Sequence, residues 1–121
     1  TQSNKTWFQE INNFNAHYII RKVIDKNINK PFLKGFTAAF TSSNVLICEN
    51  EGDSIFYLTE DYPYLIKDRS LESIIKMIDY MQATYNSKIW YEGLEIMEDV
   101  KLRTSNKQII KEFKLLLNLI I

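Results

Sequence analysis

The stretch FTAAFTSSNVLICENEGDSIFYLT, residues 36–59, decides how the chain is folded. In FTAAFT, Phe36, Ala38 and Phe40 face one way and mostly threonines the other, the period of two of a half-buried strand. NVLICE continues as a second strand over 44–49 and SIFYLT as a third over 54–59. Between these two, Asn50-Glu51-Gly52 turns tightly, because Gly52 tolerates positive φ. The expectation is a three-stranded antiparallel meander over 36–59.

Upstream, Thr6-Trp7-Phe8-Gln9 fits a capping box, followed by apolar residues at Ile11, Phe14, Tyr18 and Ile19 on one helical face. The NNFN run divides this into helices over about 6–14 and 16–27, and Pro31 closes the region. Downstream, Ser70 opens a helix with the stripe Leu71, Ile74, Ile75, Ile78, Met81 and Tyr85. KIWYEGLEIM, 88–97, reads as a strand with Gly93 at a bulge or close approach, with a helix as the alternative. Ser105-Asn106-Lys107-Gln108 is a second capping box, opening a helix through Ile120. Leu115 and Leu119 lie outside that helix's apolar stripe, so it belongs to the core or to an interface. The predicted fold class is α+β: an N-terminal helix or helix pair, the meander, a helix, a strand and a C-terminal helix, in one domain over 1–121.

A chain of 121 residues with 45% hydrophobic and 25% charged residues has the composition of one globular domain. One cysteine rules out an internal disulfide, and Cys48, within VLIC, reads as a buried thiol. The N-terminal stretch TQSNKTWFQEINN holds no apolar core of a secretory signal. No run approaches the roughly 18 apolar residues of a membrane span, so the cytoplasm is the expected compartment and no membrane is expected as a partner.

Catalytic patterns are sparse. The one histidine, His17, lacks the cysteine or histidine spacing of a zinc site, and three scattered glycines cannot cradle a phosphate. A Cys48–His17 nucleophilic pair and a metal-holding Asp79…Asp99-x-Lys101 pattern are the enzymatic alternatives. No enzyme, no cofactor and no metal are expected. The basic groups at 21–34 and 101–114 face two acidic groups and a pI near 6.5, which argues against nucleic acid as a partner.

Charge is instead unevenly spread. Residues 35–66 carry five acids and no base, while the whole chain has zero formal net charge. On the meander, Glu49, Glu51 and Asp53 frame the turn, and Glu60 and Asp61 with Tyr62 follow the third strand, whose Tyr57 points outward. Glu92, Glu95, Glu98 and Asp99 form a second acidic group. Such a surface either solubilises a hairpin or binds a basic protein, with tyrosines as anchors. In size, composition and surface character the chain resembles bacterial toxin immunity proteins of the contact-dependent growth inhibition type. That resemblance implies a non-enzymatic inhibitor of one cognate toxin domain, a basic nuclease by charge, bound through those eleven acidic and tyrosine residues. A homo-oligomer paired through Leu115 and Leu119, or an adaptor, is the alternative.

Overall fold

The computed structural model describes residues 4–21 and 31–120. Part of the expected second helix and Lys22, Lys26 and Lys30 of the first basic group lie outside the described residues. The elements run α1 (Asn4–Ile11), β1 (Ala16–Ile19), α2 (Leu33–Phe40), β2 (Asn44–Cys48), α3 (Ser54–Leu58), β3 (Leu65–Ile66), α4 (Leu71–Ala83), α5 (Lys88–Arg103) and α6 (Asn106–Ile120). The three strands pair in the order β1-β2-β3 and both pairings are parallel. Alternating strands and helices around a parallel sheet make this a βαβαβ unit, and the expected antiparallel meander is corrected.

Residues 36–59 carry that correction. FTAAF lies in helix α2, whose buried positions are Gly35, Ala38 and Ala39. Steps of three and one match a helix; the expected half-buried strand would turn Phe40 inward and Ala39 outward, whereas Phe40 is exposed and Ala39 buried. NVLIC is the one strand of the three expected, and every residue of it is buried. Helices α2 and α5 both pack on it and on each other, and a strand buried at every position carries the apolar run VLIC rather than an alternating pattern. Val45 and Ile47 therefore do not point outward. SIFYLT is the five-residue helix α3, with Ser54 and Leu58 inward and Phe56 exposed.

The turn between β2 and α3 is as expected at its glycine, since Gly52 has φ of 51°. It joins a strand to a helix, however, and closes no hairpin.

Residues 88–97 belong to helix α5, whose inward residues Trp90, Gly93, Met97 and Val100 fall at steps of three and four. The close approach at Gly93 is real: a Cβ there would lie 2.5 Å from Asn44 Oδ1. Ser70 caps α4 by accepting from the Ser73 amide, and Ser105 accepts from the Gln108 amide at the start of α6. Of the α4 stripe only Met81 is buried, and Leu71 is 72% exposed. At the N-terminus Thr6 lies inside α1 rather than at its cap, and residues 16–19 are strand rather than helix. Helix α6 has no buried residue at all.

Candidate functional site

Parallel strands bring their carboxyl ends to one edge of the sheet. Ile19, Ile47 and Leu65 are in register, as are Cys48 and Ile66, so the residues just beyond them converge. Those residues are Arg21 after β1, Asn50 and Glu51 after β2, and Arg69 after β3. Glu51 is 5% exposed, the deepest carboxylate among the described residues. Its Oε2 accepts from Arg69 Nη2 at 2.9 Å and from the Arg21 amide at 3.4 Å. Its Oε1 stands 3.6 Å from Arg21 Nε, an ionic contact beyond hydrogen-bond distance. Arg69 also donates from Nη1 to Asn50 Oδ1.

Two atoms of this cluster remain buried without a hydrogen-bond partner, Glu51 Oε1 and Arg69 Nε. Buried polar atoms are ordinarily paired, so an acceptor and a donor left without hydrogen bonds in one cluster are exceptions to that rule. Two guanidiniums against one carboxylate leave a net positive charge.

The local chain holds these groups in place. The Glu51 amide donates to Cys48 O, and the Ser54 hydroxyl donates to Cys48 O or Glu49 O. The Glu49 amide donates to Ile66 O at 2.9 Å, tying the β2 end to β3. Burial pushes the Cys48 thiol up, and the nearby Arg69 charge pulls it back in part. Next to the cluster, hydrogen bonds from Ser70 and Ser73 hold the Asp68 carboxyl below its ordinary 3.8.

The remaining site residues expected from the sequence are not all at the surface. Tyr62 is 2% exposed: its hydroxyl accepts from Val45 N–H at 2.7 Å and donates to Val45 O or Asn44 Oδ1. Burial keeps that phenol protonated. Glu51 and Tyr62 are thus interior groups, not surface anchors. Tyr57 is half-buried, stacked on Phe32 with ring centroids 5.7 Å apart, and Arg103 lies over its ring. Glu49 is half-buried, whereas Asp53, Glu60 and Asp61 are exposed. On α5, Glu92 pairs with Lys88, Glu98 with Lys101 and Asp99 with Arg103, and Glu95 is exposed.

Neither enzymatic alternative is assembled. His17 is in register with Val45, three positions before Cys48, so the two side chains leave opposite faces of the sheet. Asp99 and Lys101 lie two apart on a helix and face different ways. Among the described residues no three or more His, Cys, Asp or Glu side chains converge as metal ligands. No helix among them is long and apolar enough to cross a membrane.

Arg21, Asn50 and Arg69 were not singled out from the sequence. The signal was present: HYII-R and YLIKD-R each place an arginine just beyond an apolar run. It becomes legible only once the runs are aligned as parallel strands. Comparison with family models, with curated proteins and with solved structures found no match to the chain.

Proposed function

We propose that the chain is a small-molecule-binding α/β domain whose ligand lies across the carboxyl ends of β1, β2 and β3. The observation carrying this reading is the buried Glu51 carboxylate, held between Arg21 and Arg69 with one oxygen lacking a hydrogen bond at that edge. Guanidiniums suit phosphate oxygens, and an unpaired carboxylate oxygen suits a hydroxyl. A phosphate ester that also bears hydroxyls, as a sugar phosphate or nucleotide does, satisfies both orphaned atoms. Thermal unfolding with and without uridine diphosphate, glucose 1-phosphate and inorganic phosphate tests it. A rise in Tm with a hydroxyl-bearing ester, absent in Arg69→Gln, is expected. No rise with any of the three overturns the reading.

A second reading keeps the immunity proposal on narrower ground. The exposed face of α5 carries Glu92, Glu95 and Glu98 around the exposed Tyr91 and Leu102, which suits a basic protein partner. Charge reversal at Glu92 and Glu95 would then slow association with a toxin domain without lowering Tm. Unchanged association would remove this reading.

A further inference from the structure

Helix α6 buries none of its residues. Along it Ile109, Phe113, Leu116 and Ile120, all exposed, follow at steps of four, three and four, the spacing of a seam between two packed helices. Lys107, Lys111, Lys114 and Asn118 repeat those steps two residues earlier, which puts them about 200° round the helix, on the opposite side. Charge is also divided along its length. Lys107, Lys111, Glu112 and Lys114 lie in the inner half, and LLLNLI, residues 115–120, carries none. Leu115 and Leu119 are exposed off the seam, so this outer half is apolar on nearly every side. At the inner end Ile109 and Glu112 line a cleft of about 480 Å³ with Phe36, Phe40, Phe56 and Arg103. Phe40 and Phe56 are 55% and 73% exposed there.

We infer that α6 is an arm that pairs antiparallel with α6 of a second copy of the chain and ends against that copy's cleft. A twofold axis between Lys114 and Leu115 sets Ile109 opposite Ile120 of the second copy, and Phe113 opposite its Leu116. Each contact then occurs twice, so the seam is complementary to itself. Its layers hold only Ile, Phe and Leu, and the lysines of both copies point away from it. Leu119 lies seven residues after Glu112 and shares its side of the helix, with Leu115 one turn before it on that flank. Like flanks adjoin in an antiparallel pair, so Leu119 of one copy comes over the cleft that Glu112 borders on the other. A parallel pair would bring both bodies to one end and leave both outer halves in water off the seam. Asp53, Glu60 and Asp61 stand exposed at the two ends of α3, which supplies Phe56 to the cleft, and this disfavours an anionic lipid surface. Area agrees with a second copy. The apolar side chains of α6 with Phe40 and Phe56 expose on the order of 1,000 Å², above the roughly 300–600 Å² of the largest patch on a typical monomer. A stable interface takes about 800 Å² per partner.

Sedimentation equilibrium of the intact chain between about 1 and 100 µM tests this. The mass of two chains is expected at the upper end of that range. Phe113→Glu and Leu116→Glu, each in a central layer, should bring it to the mass of one chain at the same concentration. Their circular dichroism spectra should be unchanged, since neither side chain is buried in a single copy. Oxidation of chains with one added cysteine reads the register and does not depend on how the glutamate variants fold. A mixture of Ile109→Cys and Ile120→Cys chains should form the mixed disulfide, and Ile109→Cys alone should not cross-link. A monomer throughout the range, whether or not it floats with phosphatidylglycerol vesicles, overturns the proposal. So does a dimer that both glutamate variants leave intact, or Ile109→Cys linking to itself.

Discussion

At the scale of single residues, three positions carry conformational or solvation costs that substitution can expose. Thr59 ends α3 at φ 64° and ψ 167°, a backbone region that glycine alone enters freely. Thr59→Gly should raise stability by about 1 kcal/mol in urea unfolding, the relief of strain exceeding the entropy that glycine loses on folding. Gly93 is the converse case. There a methyl group would drive into Asn44, whose amide donates to Trp90 O and whose Oδ1 faces the Tyr62 hydroxyl. Gly93→Ala should cost about 1–3 kcal/mol despite alanine's better helix propensity. His17 has a buried, unpartnered Nε2, and burial lowers its pKa from 6.5. Below pH 6.5 the unfolded chain therefore takes up a proton that the folded ring resists, and stability falls as pH drops towards the ring's folded pKa. Urea midpoints on either side of this window should differ less in His17→Gln than in the natural chain.

At the scale of elements, burial rather than hydrophobicity separates α5 from α6. Both carry apolar residues at helical spacing, yet α5 places Trp90, Met97 and Val100 in the core and α6 places nothing there. Met97→Ala should cost about 2–5 kcal/mol, since it empties a filled site. Leu116→Ser should leave the unfolding free energy of the monomer within about 0.5 kcal/mol of the original, as an exposed position does. Comparable losses in the two would mean that α6 is covered within a single copy. The α4 stripe is intermediate, which is why its sequence periodicity overstates its contribution to the core.

At the scale of the whole molecule, Glu51 links the three strand ends. Its partners Arg21 and Arg69 come from opposite sides of β2, thirty residues upstream and eighteen downstream. Glu51→Gln should lower stability by roughly 2–3 kcal/mol, less than for a fully buried pair because each guanidinium is about a fifth exposed. A double-mutant cycle with Arg69→Gln separates that coupling from general damage to the edge. If the cluster is the ligand site, the same variant also loses the Tm rise with a hydroxyl-bearing phosphate ester. Stability loss without any effect of such esters on the natural chain would leave the cluster a structural clasp.

The sequence by itself determined the features whose causes are local. Ser70 and Ser105 cap their helices through amides three residues on, Gly52 takes positive φ at the turn, and VLIC is a strand with a buried thiol. What it left open was decided by partners far along the chain. FTAAFT and SIFYLT are short enough to fit a period of two or a helix, and only packing, of α2 against β1, β2 and α5 and of α3 against α5, selects the helix. The same holds for charge. ENEGD reads as a solvated hairpin tip until parallel pairing brings two arginines to its middle glutamate and turns that carboxylate into an interior group. Local spacing records caps, turns and apolar runs, because their energies lie within a few residues. Strand direction and the burial of a charge depend on contacts between distant residues, which spacing along one chain does not encode.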